Sequence, residues 1–106
     1  MNVNDFPGLT EYLDYIKADY AKWSTQSPYR DEFIADFNDN LRVEVGSKFI
    51  KVVSKGSAHS FICLHDMGKF TKGDILKAAS WAAPAKNFAR GNIMARNFGS
   101  VRWTGA

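Results

Sequence analysis

The chain changes its hydrophobic period once, near residue 40. Over residues 9–24, "LTEYLDYIKADYAKWS", the apolar positions Leu9, Tyr12, Leu13, Ile16, Tyr20 and Trp23 recur at steps of three and four. That spacing lines one face of a helix and leaves Asp14, Lys17 and Asp19 off the stripe. A second helix is predicted over 28–38. Ser27 can cap it, Pro28 suits its first position, and Asp31 and Glu32 suit the positive end of its dipole. Tyr29, Phe33 and Phe37 form its predicted buried stripe, and "NDN" at 38–40 ends it.

From Leu41 the period is two. In "LRVEV", Leu41, Val43 and Val45 alternate with Arg42 and Glu44, the pattern of a half-buried strand. Gly46-Ser47 and Lys55-Gly56-Ser57 are turn sequences, so strands near 41–46, 48–54 and 58–65 form an antiparallel meander. "DMGK" turns again, "GDILKA" offers a fourth, shorter strand, and "SVRWT" a fifth. Between them, Pro84 opens and Gly91 stops a predicted short helix. The order argues for an α+β domain: two N-terminal helices packed on an antiparallel sheet of about four to five strands, with a short C-terminal helix. Such a sheet can leave its second face wet, which is the cheapest place to build a site.

Length and composition narrow the class. At 106 residues, with 45% apolar and 24% charged residues, the chain reads as one domain over 1–106 with enough apolar surface for a core. Dimerisation stays open as a homodimer. Cys63 is the only cysteine, so no intrachain disulfide can form. The start "MNVNDFPGLTEYL" lacks the basic and apolar regions of a secretory signal, and no run approaches a membrane span. These features predict no membrane association and a reducing cytoplasm.

Charge divides the chain. Residues 1–40 carry three basic residues against eight acidic ones, whereas 41–106 carry eleven basic against Glu44, Asp66 and Asp74. The two halves could face each other or solvate separate faces. Equally, the second half could present a basic surface to phosphates or to an acidic partner.

Catalytic and metal chemistry find little support. On a strand, "HSFICLHD" places His59, Phe61, Cys63 and His65 on one face. A Cys63 nucleophile with His65 as its base lacks a third, orienting group. As metal ligands, His59, Cys63 and His65 lack a fourth. Cys63 is expected to be a small buried hydrophobe instead. Asp31, Glu32, Asp36 and Asp39 read as a solvated helix face, and "GKFTKGD" lacks the P-loop spacing. No enzyme, cofactor or metal is expected.

The acid-free stretch "SWAAPAKNFARGNI" at 80–93 is the sharper candidate. On the predicted helix, Lys86 and Arg90 stand at i and i+4 on one face, near Lys77 on a neighbouring strand and Arg96 beyond. Together they could clamp phosphates or a carboxylate, unless Arg90 merely caps its helix. Trp81, Phe88 and Trp103 are stacking candidates if the partner is nucleic acid.

"KFIKVVSKGSAHSFI", followed by "KGDILKAASWAAPAKNFARGNI" and a terminal "WTGA", resembles a group of small, mostly uncharacterised proteins encoded by bacteriophages. The likeness covers roughly 41–106, with Gly73, Asp74, Lys77, Trp81, Pro84, Lys86, Arg90, Gly91 and Asn92 on its motif. The resemblance implies context: an accessory protein of the host cytoplasm that acts by binding. Its expected surface is Lys77, Trp81, Lys86, Arg90, Asn92 and Arg96. The expected partner is a host protein, such as a defence factor to be inhibited, or nucleic acid bound directly.

Overall fold

A computed structural model of the chain describes residues 6–24 and 28–106. Helices α1 (Leu9–Trp23) and α2 (Arg30–Asn40) precede strands β1 (Leu41–Val45), β2 (Phe49–Ser54), β3 (Ser57–Cys63) and β4 (Ile75–Lys77). The strands form one antiparallel sheet in the order β1-β2-β3-β4, with both helices on one face. The α+β arrangement of the sequence reading is therefore present. None of the described helices is long and apolar enough to cross a membrane.

Helix α1 buries Leu9, Tyr12, Ile16 and Tyr20 from the predicted stripe, while Trp23 stays 65% exposed against Tyr20 and Trp103. Its start is set by backbone geometry. Gly8 has φ +86°, and a Cβ there would lie 1.9 Å from the Ile93 carbonyl oxygen. Only glycine admits that approach between the helix and the C-terminal loop.

Helix α2 departs from expectation at both ends. It starts at Arg30, two residues later than predicted, and Ser27 lies outside the described residues. It runs through the supposed stop, because the Asn40 side-chain amide donates to the Asp36 carbonyl (2.8 Å) and the chain enters β1 directly. Of its predicted stripe only Phe37 is buried, stacked on Tyr20 at 4.2 Å between ring centres. Tyr29 and Phe33 are exposed. A row at i, i+4, i+8 rotates by about 40° per step around a helix, so Ile34 and Phe37 meet the sheet instead.

The meander is as predicted, with one irregularity of consequence. Lys55 and Gly56 both have positive φ (51° and 78°), the form of tight turn that matches strand twist. The β2–β3 register passes from Val52↔Ser60 to Val53↔Ala58, leaving His59 as the extra residue of a bulge. Ser60, Ile62 and Leu64 then face the helices, while Phe61 and Cys63 face away.

Two predicted elements are absent. Residues 84–91 form no helix; they run along the outer edge of β4. Ala85 N–H donates to Lys77 C=O, Arg90 N–H to Ile75 C=O, Ile75 N–H to Gly91 C=O, and Ile93 N–H to Gly73 C=O. Residues 86–89 bulge out between these bonds. The Pro84–Gly91 punctuation is real, but the free edge of β4 offers this backbone better partners than a two-turn helix would. "SVRWT" is likewise a loop and turn, closed by an Arg102–Gly105 bridge and tied to α1 by Trp103 N–H donating to Asp19 (2.8 Å). The near edge of the sheet, that of β4, is already taken by residues 85–93.

The outer sheet face is less wet than expected. Phe61, Cys63, Phe70 and Leu76 form a second small core there, flanked by Phe49, Met67, Ala78 and Ala89. The 66–72 turn and the 78–90 segment cover it in part.

Candidate functional site

The six residues proposed from sequence do not form one surface. Lys77 is exposed on β4, in register with Ser60. Trp81 is 47% exposed on the outer face, with the Lys51 ammonium 3.8 Å from its ring centre. Lys86 and Arg90 share no helix face, since the helix is absent. Arg90 folds back on its own loop, donating to the Phe88 carbonyl (2.9 Å) and lying 3.7 Å over the Phe88 ring. Phe88 itself is 58% exposed. Asn92 is a structural pin. Its amide donates to Lys72 C=O and Asp74 Oδ1 (both 3.0 Å), and its Oδ1 accepts from Met94 and Ala95 N–H. Arg96 pairs with Glu11 of α1 at 3.5 Å. Asn92 and Arg96 thus fasten the C-terminal loop.

Lys86 alone leads to a site, joined by two lysines that sequence reasoning missed. Lys48, His65, Asp66, Met67, Lys69, Phe70 and Lys86 line an open cleft of about 460 Å3 at one end of the sheet. A smaller depression of about 320 Å3 adjoins it through Lys48, lined by Glu44, Val45, Phe49, Lys51 and Phe61. Topology brings these residues together. In a meander, the β1–β2 turn and the connection after β3 lie at the same sheet end, so "GSK" and "DMGK" each deliver a lysine there. That signal was available in the sequence.

Cations dominate the cleft, three lysines against the single carboxylate of Asp66. Among the described residues, none of Lys48, Lys69 and Lys86 has a carboxylate within ion-pair distance. The three acids of this half are occupied in the fold. Asp66 accepts from Lys72 N–H (2.8 Å), Asp74 from Thr71 N–H (2.9 Å), and Glu44 pairs with Arg42 and with Lys51 (3.5 Å). The Arg42 guanidinium hydrogen-bonded to Glu44 holds its carboxyl below the usual range. Only two ion pairs join the acidic and basic halves among the described residues, Asp36–Lys55 and Glu11–Arg96. The halves mostly solvate separate faces.

The cysteine–histidine grouping dissolves. Cys63 is fully buried in the outer cluster, and burial pushes its thiol up to about 11, away from the thiolate that nucleophilic attack needs. His65 is exposed beyond the end of β3. His59, turned inward by the bulge, is buried in a polar chain. Its Nε2 lies 2.8 Å from the Arg102 carbonyl, its Nδ1 2.9 Å from Ser60 Oγ, and Ser60 Oγ 2.7 Å from the Tyr12 hydroxyl. A carbonyl only accepts, so Nε2 carries the proton and Nδ1 accepts from Ser60, which accepts from Tyr12. Burial lowers the His59 pKa and raises that of Tyr12. All three side chains are shut off from solvent. Among the described residues no three His, Cys, Asp or Glu side chains are grouped to hold a metal ion.

Fold and site together define a small α+β domain with a helical acidic side and a lysine-rich, aromatic-studded sheet face. The chain belongs to DUF7717, a family of unknown function, whose model matches residues 9–106. No curated protein and no solved structure matches it.

Proposed function

We propose that this protein is a non-enzymatic accessory binding protein whose outer sheet face engages a polyanion, single-stranded nucleic acid in the first place. The carrying observation is the cleft whose three lysines outnumber its one carboxylate, Asp66, and form no ion pair among the described residues. Gathering like charges costs free energy that a bound phosphate chain returns. Exposed Trp81 and Phe88 on the adjoining segment supply rings on which bases can stack, the usual partner of a lysine-lined track. The phage-like string at 41–106 supports the setting, a host cytoplasm in which short-lived single strands are plentiful.

An acidic host protein is the second reading, favoured by Met67 and Phe70, which put apolar surface beside the lysines of the cleft. Anisotropy titration with a labelled single-stranded oligonucleotide separates the two. Nucleic-acid binding predicts saturation with log K falling by about 0.7 per phosphate contact for each decade of salt. No oligonucleotide binding, with a host protein captured from nuclease-treated lysate, transfers the face to the second reading.

A further inference from the structure

The two edges of the sheet are treated differently. β4 is covered by 85–93, whereas among the described residues β1 meets no strand on its outer side. Gly46 N–H donates to Phe49 C=O and Lys55 N–H to Asn40 C=O. These bonds set the alternation of the hairpin: Arg42 and Glu44 bond to β2, while Leu41, Val43 and Val45 turn their backbone groups outward. Leu41 N–H is taken by Asn38 C=O. Among the described residues the remaining groups, Leu41 C=O and both groups of Val43 and Val45, have no hydrogen-bond partner. Val45 is also 52% exposed, an apolar side chain waiting at the rim.

The sequence of this edge is antisymmetric in charge about its centre. In "LRVEV", Val43 is flanked by Arg42 on one side and Glu44 on the other, with Leu41 and Val45 outside them. We infer that β1 pairs antiparallel with β1 of a second copy, about a two-fold axis at Val43, to make a continuous eight-stranded sheet. In that register Val43 N–H and C=O bond reciprocally to the partner's Val43. Leu41 C=O accepts from the partner's Val45 N–H, and the same bond recurs across the axis. Arg42 stands opposite the partner's Glu44, and Glu44 opposite the partner's Arg42, on the outer face. Val45 packs beside the partner's Leu41 on the helix face.

The alternatives are penalised. A slip one way sets Arg42 against the partner's Arg42, and a slip the other way sets Glu44 against the partner's Glu44; like charges directly opposite are destabilising. Charged residues on a short edge ordinarily discourage pairing. Here the same two charges admit one partner, another copy, in one register. The two-fold axis stands perpendicular to the sheet, so both basic faces point the same way.

Sedimentation equilibrium over a concentration series tests this, with circular dichroism to show that each variant is folded. The wild-type chain is expected to approach twice its 11.9 kDa mass. Val43→Pro removes an N–H that β2 does not use, so the hairpin keeps its ladder and the dimer is lost. Arg42→Glu and Glu44→Arg should each give monomers alone. Mixed, they should form a one-to-one heterodimer, because every facing pair is again opposite in charge. The double variant R42E/E44R should dimerise by itself. A wild-type chain that stays monomeric up to about 1 mM overturns the proposal. So does a dimer that survives both Val43→Pro and Arg42→Glu, since it would use another surface. If Val43→Pro does not fold, the mixing experiment decides alone.

Discussion

His59 shows how one residue can leave the face its sequence position assigns. Strict alternation puts it with Phe61, Cys63 and His65; the bulge opposite Val52 and Val53 sends it to the helix side instead. Nothing in "HSFICLH" announces a bulge, because the irregularity depends on the partner strand. Its burial as a neutral imidazole has a signed consequence. The folded pKa lies below the unfolded value, so the unfolded state binds more protons as the medium turns acid. Stability should be whole above pH about 6.5 and fall below it, by at most about 1.4 kcal/mol per pH unit from this group. Urea melts between pH 8 and 5 measure the slope, and His59→Gln should flatten it while costing stability at pH 8. Cys63 makes the contrasting case, since the expected buried filler is what the fold contains. Cys63→Ser should leave binding unchanged and cost about 1–3 kcal/mol, the penalty for burying a hydroxyl that finds no partner. A folded variant that no longer binds would mean the thiol takes part in function.

Among elements, those with a strong period were legible and those fixed by a distant partner were not. α1 and the three-strand meander follow from steps of three and four, then of two, with turn residues between. The segment 84–91 carries local helix punctuation, but its conformation is set by the unpaired edge of β4, which only the assembled sheet reveals. The site suffered most from this. Removing that helix scatters Lys86, Arg90 and Arg96, while Lys48 and Lys69 emerge from two turns at one sheet end. The join between elements is also where backbone geometry bites. Gly8→Ala puts a Cβ into the Ile93 carbonyl at a φ that alanine avoids, so α1 should lose its seat on the C-terminal loop. A loss of more than about 1 kcal/mol is expected, read from thermal melts, together with faster amide exchange at Ile93 and Arg96. Gly56→Ala, with φ +78° but open space around it, should cost less.

For the whole molecule, the division of charge is the organising fact. Acids cluster in the helical half and lysines without an ion pair among the described residues on the sheet side, where Asp66, Asp74 and Glu44 are each engaged by a local hydrogen bond or ion pair. Replacing both Lys48 and Lys86 with Glu should therefore weaken polyanion binding strongly, with the salt slope of the binding that remains reduced by about 0.7 for each phosphate contact removed from a single strand. Melting should barely move, because neither lysine has an ion-pair partner to lose among the described residues. The matching change of Arg90 and Arg96 to Glu should do the reverse, lowering the melting temperature through loop and α1 contacts while binding persists.

The covering of β4 by 85–93 has one more implication, best put in the language of polymer chemistry. A sheet with two open edges is a bifunctional monomer: every addition leaves a fresh end, and growth continues into a fibre. Here one end is blocked by the chain itself, through four backbone bonds and a Gly91 at φ +148° that no Cβ could replace without meeting Asn97. The remaining sheet is monofunctional. Edge pairing through β1 then terminates at the first step, and a sheet with one exposed edge yields a closed pair instead of a fibre.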